Sequence, residues 1–287
     1  MSQLPTRHNA RGSRAWSVRD ELVGLYGIVE RNVYLVRRYV WWDLAFFVWT
    51  VANTLTIVFI ARGMEATGET IDVNRAATSL LIGAVIWAYL GIIFEIITET
   101  VAWERWEGTI EYTFMAPLSR TTHLFGMGAF ALLYGMLRAV LLFAFCTAFF
   151  DLSITGPDYV AALAVLSVAS VSFVGLGIMT AVLPLVSPEK GAQLGFVAQG
   201  LLLVVSGVYY PVEVLPTWMR WISTISPATY ALDGIRDAIL DGAGLEAMGG
   251  RLIALGVIGA VSIPLGLLVF RTGERFAKQH GKLKRSG

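Results

Sequence analysis

Cysteine is nearly absent from this 287-residue sequence. Cys146 stands alone inside an apolar run, which excludes an intrachain disulfide framework. Histidine is almost as scarce: His8, His123 and His280 are scattered, so no metal-ligand spacing and no nucleophile–base constellation can be read. No catalytic residue and no metal site is expected. Charge is thin too, at 15% of residues against 56% hydrophobic, with a mean hydropathy of +0.64. A soluble domain could not hide that much apolar surface, so the composition describes an integral membrane protein. Residues 1–40 lack an early apolar core and are too Arg-rich for a cleavable signal peptide. The stretch 63–70 reads G-x-x-x-x-G-E-T, a near miss to a phosphate-binding loop. Glu69 replaces the lysine there and sets negative charge against phosphate, so nucleotide binding is excluded. No internal repeat with a fixed period is present.

What is present is a series of long apolar runs. The pattern predicts an all-α membrane protein with six transmembrane helices, at 43–61, 76–98, 122–150, 159–186, 191–208 and 251–270, each near the roughly 20 residues a bilayer requires. Residues 1–41 form a cytoplasmic tail and an amphipathic interface helix, with Leu22, Leu25, Tyr26, Val29, Val33 and Val36 at helical spacing and arginines reaching anionic lipid. Trp41 and Trp42 mark the headgroup level, and residues 272–287 form a basic tail. Ser119 or Thr121 can cap the third span, and Ser187 followed by Pro188 reads as the start of the fifth. Both termini are expected to be cytoplasmic: the outer segments hold only Arg62, Arg75, Arg220, Arg236 and Arg251.

Two inter-span segments stand out. Residues 99–120 form a charged island, expected on the cytoplasmic side. At 100° per residue Trp103, Trp106, Ile110 and Phe114 share one stripe, with Glu104, Glu107 and Glu111 beside it. Such a helix lays aromatics at a boundary and offers carboxylates to a partner; an ordinary amphipathic connector gives the same pattern. Gly108 predicts a bend and Pro117 a stop. On the outer side, residues 211–240 are too apolar for free solvent, yet Pro211, Pro216 and Pro227 break any single span. Two short helices re-entering the outer membrane face fit best, shielded by protein or a wet cavity.

Within the spans, Glu95, Glu99 and Arg138 are the ionisable groups nearest the hydrocarbon, and a Glu95–Arg138 ion pair is sterically feasible. Asn53, Thr54, Thr56 and Gln199 are neutral polar residues suited to interhelical bonding, and Phe46, Trp49, Trp87 and Phe94 could line an apolar path. Gly191 and Gly195 allow close helix approach within or between chains.

The island Glu104-Arg105-Trp106-Glu107-Gly108-Thr109-Ile110-Glu111, continuing to Met115-Ala116-Pro117-Leu118-Ser119-Arg120, resembles a segment of ABC-2 type transporter permeases that reads about E-R-E-x-G-T-L-E-x-L-x-x-x-P-x-S/T-R. A second stretch runs from Ser206-Gly207 through Pro211 to Leu215-Pro216, and then from Ser226-Pro227-Ala228-Thr229-Tyr230 to Arg236. It is similar to that family's S-G-x-x-x-P-x-x-x-L-P and N-P-x-T-Y-x-x-x-x-x-R, with Ser226 in place of Asn. The similarity extends from about residue 20 to residue 271.

The resemblance implies a permease that dimerises, as homodimer or heterodimer, and pairs with two copies of a cytosolic ATPase. It puts ATP and Mg on that separate partner and no cofactor on this chain. It assigns Glu104, Arg105, Trp106, Glu107, Gly108, Thr109 and Glu111 to the ATPase-coupling interface. Tyr209, Tyr210, Pro211, Glu213, Pro227 and Tyr230 go to an extracellular gate. Spans one, two and five would line the path, with Trp49, Asn53, Phe94 and Gln199 as candidates. The expected function is outward movement of a hydrophobic or amphipathic substrate (drug, antibiotic or lipid-like) across a prokaryotic plasma membrane, in contact with membrane lipids and without nucleic acid. An exporter of lipid-linked polysaccharide or teichoic acid is one alternative. An ion-coupled secondary transporter is another, although it should show internal symmetry and mid-bilayer acids; a non-transporting scaffold or sensor is a third.

Overall fold

The computed structural model describes residues 18–65, 72–116, 118–187 and 189–280, and within them the chain is helical, with no strand. The tail 1–17, the loop 66–71 with Glu69, Pro117, Pro188 and the end 281–287 lie outside the described residues. The helices are α1 (Val18–Arg38), α2 (Val40–Glu65), α3 (Val73–Phe94), α4 (Thr100–Trp106), α5 (Ile110–Met115), α6 (Arg120–Phe150), α7 (Tyr159–Thr180), α8 (Val182–Val186), α9 (Gly191–Val205), α10 (Thr217–Ser223), α11 (Pro227–Leu240) and α12 (Gly249–Gln279).

Among the described residues, five helical segments are long and apolar enough to cross a membrane: Val40–Gly63, Val73–Trp106, Arg120–Phe150, Tyr159–Val186 and Leu245–Gln279. The expected fifth span, 191–208, is the shorter apolar helix α9 of 15 residues. Its rise of about 22 Å is less than the roughly 30 Å of a hydrocarbon core. Ser187 does not start it. Ser187 instead closes α8 in an extended conformation and accepts the Gly191 amide at 2.7 Å, while Lys190 precedes α9 without a side-chain cap. Ser119 caps α6 by accepting the Thr122 amide at 3.0 Å.

Helix α3 is the centre of the bundle, with Leu81, Ile82, Tyr89, Leu90 and Ile93 fully buried. Close contacts with its neighbours depend on small residues. Gly135 of α6 admits the Tyr89 ring, and the Tyr89 hydroxyl meets Ser170 Oγ of α7 at 2.5 Å. Along α7 and α12, a side chain on Gly175 or Gly266 would run into the facing backbone, and Ser172 Oγ donates to the Leu255 carbonyl at 3.1 Å. Such small-residue seams are how helices attract one another where lipid offers no hydrophobic driving force. The Gly191 and Gly195 spacing serves contacts within the chain, against Pro184 and Thr98 respectively.

Helix α12 runs on through Gln279 instead of ending near 270, so residues 272–279 are helix rather than tail. The reason is a continuing packed stripe: Phe270, Gly273, Glu274 and Ala277 are buried at helical spacing. Helix α1 lies along the N-terminal part of α6. It buries Ile28 and Asn32, with Gly24 against Leu118 and Gly126 against Ile28, whereas Leu22, Tyr26 and Val33 stay exposed.

Candidate functional site: the extension of α3 and the elbow after α9

Past Phe94 the backbone of α3 widens into a five-residue π turn, Glu95–Glu99, and continues as α4 without a break. A π turn inserts one extra residue into a helix and is frequent at functional sites. The helix ends where Gly108 takes φ 75°, a left-handed conformation that costs glycine little, and α5 follows. That break resets the register. The single stripe expected through Trp103, Trp106 and Ile110 does not exist: Ile110 is buried, while Trp103 and Trp106 are exposed and pack edge-on at 5.4 Å.

The carboxylates face different ways. Glu107 and Glu111 are exposed, but Glu104 is only 7% exposed and faces inward. Its Oε1 accepts from Arg31 Nη1 of α1 at 3.0 Å, and His123 Nε2 of α6 stands 3.5 Å away. Arg105 is also buried and donates to the carbonyls of Pro184 at 3.1 Å and Leu185 at 2.5 Å. Glu104 and Arg105 therefore depart from the expected assignment to a partner-facing surface. They fasten α4 to α1, α6 and α8. Thr109 Oγ1 donates back to the Glu104 carbonyl at 3.3 Å and steadies the turn. The outward face consists of Trp103, Trp106 (73% exposed), Glu107, Glu111, Tyr112 and Met115.

At the other end, α9 stops at Val205, and Gly207 with φ 67° turns the chain into Pro211 and a short 3-10 turn, Val212–Val214. Helices α10 and α11 follow as a hairpin, with Pro227 in the first turn of α11. Arg236 of α11 holds this elbow by donating Nη1 to the Gly207 carbonyl at 3.1 Å and Nη2 to the Val208 carbonyl at 2.7 Å. Ser206 and Ser226 join the two motif segments hydroxyl to hydroxyl at 2.7 Å, and Ser223 donates to the Val205 carbonyl. Tyr210 donates to the Val204 carbonyl at 2.5 Å and Tyr230 to the Thr224 carbonyl at 2.8 Å. Irregular backbone thereby finds partners, as it must in an apolar setting. Tyr209, Tyr210, Pro211, Glu213 and Tyr230 all line one open cavity of ≈ 710 Å³; Pro227 is buried and does not.

The other candidate residues separate. Phe94 and Gln199 meet across a narrow cleft between the π turn and α9, together with Glu95, Thr98 and Glu99. Trp49 and Asn53 on α2 do not reach it; Asn53 Nδ2 bonds its own helix at the Trp49 carbonyl, 2.9 Å away. Thr56 likewise donates to Ala52 of its own helix at 2.8 Å instead of bridging helices. Arg138 pairs with Asp43 at 3.1 Å and not with Glu95. Asp43 sits one turn into α2, and Tyr134 donates to the same carboxylate, so Arg138 finds a complete site there. The Phe47 ring lies 5.1 Å from its guanidinium carbon, whereas the Glu95 side chain is exposed.

A family profile described as ABC-2 type transporter matches residues 34–240, from the end of α1 to the end of α11. The chain belongs to the ABC-2 type transporter family. Among curated proteins, ABC transporter G family member 20 of Dictyostelium discoideum is 32% identical over 147 residues, which is 50% of this chain and 19% of that protein. The chain thus spans about a fifth of the length of the curated relative it matches. Family membership makes residues 34–240 a membrane domain of the ABC-2 transporter type.

Sequence reasoning missed several residues of this ABC-2 chain that the structure brings forward. Arg31 and His123 hold Glu104, but nothing in their spacing joins positions so distant along the chain. Gly83 was equally silent: a side chain there would meet the Val208 carbonyl at 2.1 Å, so α3 receives the elbow only through a glycine. Arg236 had a signal, since it closes the second motif, but its role as a carbonyl clamp required the fold.

Proposed function

We propose that this ABC-2 chain is the membrane subunit of an ATP-driven exporter that moves a hydrophobic or amphipathic substrate outward. In this reading it crosses the membrane six times. Helix α9 and the elbow after it make the fifth crossing, and both termini face the cytoplasm of a prokaryotic cell. Two permease chains, identical or related, pair with two copies of a cytosolic ATPase that binds ATP and Mg. Drug-like, antibiotic or lipid-like molecules are the expected cargo, because the outer segments are compact and apolar.

The observation that carries the reading is the geometry of α4 and α5. Helix α4 continues the central helix α3 and is fastened inward by Glu104 and Arg105, and α5 follows it past the turn at Gly108. Outward they present Trp106, Glu107, Glu111, Tyr112 and Met115, all exposed, with the Trp106 ring resting edge-on against Trp103. A rigid extension with an aromatic and acidic face suits a lever: a push on that face travels into α3 and reaches the elbow seated at Gly83. The test is the double substitution Glu107→Lys with Glu111→Lys, assayed for ATPase co-purification, transport and melting temperature. The expected outcome is loss of coupling and transport with melting changed by less than a few degrees, since exposed substitutions cost about 0.5 kcal/mol or less. Undiminished transport would overturn the assignment, as would labelling that placed residue 107 outside the cell.

A further inference from the structure

The cavity beneath the outer hairpin has a chemistry that a gate alone does not require. It lies between the outer end of α3, the elbow, α10 and α11, and its ≈ 710 Å³ falls within the roughly 300–1,000 Å³ of drug-sized sites. Most of the donors around it are engaged, the buried Arg236 Nε and Thr229 Oγ1 being the exceptions. Both Nη atoms of Arg236 serve backbone carbonyls, Arg220 Nε donates to the Leu215 carbonyl at 2.8 Å, and the Tyr230 hydroxyl is committed to Thr224. The acceptors are not. Among the described residues Asp233 and Glu213 make no hydrogen bond and no ion pair, and both face the cavity. An ionised carboxylate accepts only, so these two can be answered only by a ligand that donates.

We propose that this cavity binds an organic cation, a protonated amine bearing an apolar or aromatic body, with Asp233 and Glu213 as counter-charges and the rings of Tyr209 and Tyr230 as walls. An anion would meet two carboxylates and find the Nη donors of Arg236 already engaged. A neutral ligand would leave the carboxylates unanswered. An ammonium supplies donors and charge together, and aromatic faces attract it further.

The groups acting on Asp233 are Arg236 and Asp237 of its own helix, Arg251 of α12 and Glu213 of the elbow. Burial raises the Asp233 carboxyl above its ordinary value, and the two arginines offset this only in part. A proton and the amine therefore compete for one site. Binding is full above the raised value and is lost as pH falls through it. Binding as such does not depend on the export reading. Its failure leaves that reading standing, and failure of transport leaves this site standing.

The experiment uses the full-length protein in lipid nanodiscs, with empty nanodiscs as the blank. The probe is monodansylcadaverine, a fluorescent primary ammonium, and N-acetyl-monodansylcadaverine is its neutral control. Saturable binding of the cation alone is expected, weakened about tenfold by Asp233→Asn, less by Glu213→Gln, and largely retained in Asp233→Glu. Lowering the pH from about 7.5 to about 5 should weaken binding to the parent protein and leave Asp233→Asn unchanged. Equal binding of the neutral probe, or an unaltered affinity in folded Asp233→Asn, would overturn the proposal. Size-exclusion profile and melting temperature establish folding. Should Asp233→Asn not fold, Glu213→Gln and the pH response of the parent protein decide, and no change in either refutes it.

Discussion

Glu104 beside the Gly108 turn and Arg236 beside the elbow each hold a place where the chain turns back, but through different partners. Glu104 is answered by side chains, Arg31 of α1 and His123 of α6, and the nearby Glu274 is answered by Arg120 at 3.3 Å and Lys278 at 2.6 Å. Arg236 is answered by backbone carbonyls of the elbow, and Ser223, Tyr210 and Tyr230 repeat that habit. Side-chain pairs between helices allow one helix to follow another without fixing the backbone of either. Side-chain-to-carbonyl bonds fix the backbone itself. At Glu104 the ties run between side chains, with Arg105 beside it bonding two carbonyls of α8, whereas at the elbow the carbonyl bonds give irregular chain one defined shape.

This contrast can be broken at its strongest point by Gly83→Val. A branched side chain would collide with a carbonyl that Arg236 already pins, and a loss of at least about 3 kcal/mol is expected from overpacking. Thermal unfolding and protease cleavage in 206–216 would register it. Gly256→Ala, where a methyl meets nothing, serves as the neutral control. An inner counterpart of middle size is Glu104→Ala. It leaves His123 buried and Arg31 half-exposed without their acceptor, for about 2 kcal/mol, and coupling of ATPase activity to transport should fall more than stability does. If stability alone falls, the side-chain ties do not transmit movement. The smallest effect belongs to Lys278→Ala, which removes an i,i+4 pair at a half-exposed lysine and should cost about 0.3–0.5 kcal/mol, screened further by salt.

Much of the architecture was legible because membrane physics writes it plainly. Long apolar runs, prolines at 211, 216 and 227, and the charged island place the helices and their interruptions before any coordinates. The stripe assigned to the island failed because a 100° period holds only along an unbroken helix, and Gly108 ends one. The Glu95–Arg138 pairing failed because depth in a membrane does not reveal azimuth, and Asp43 approaches Arg138 from another helix. The extension of α12 was readable in principle, as Phe270, Glu274 and Ala277 keep helical spacing through a basic stretch whose charge suggested a tail. The outer cavity was not readable at all, since it is assembled from segments far apart in the chain.

The wide turn at Glu95–Glu99 carries a consequence for how this protein tolerates change. Deleting one residue there would restore an ordinary α-helix and rotate everything downstream by about 100° while drawing it back about 1.5 Å. Glu104 would swing away from Arg31 and His123, and Trp106 would point where no approaching protein expects it. Point substitutions in that stretch should be forgiven far more readily than a single deletion, because the surplus residue sets the direction in which the inner arm is aimed.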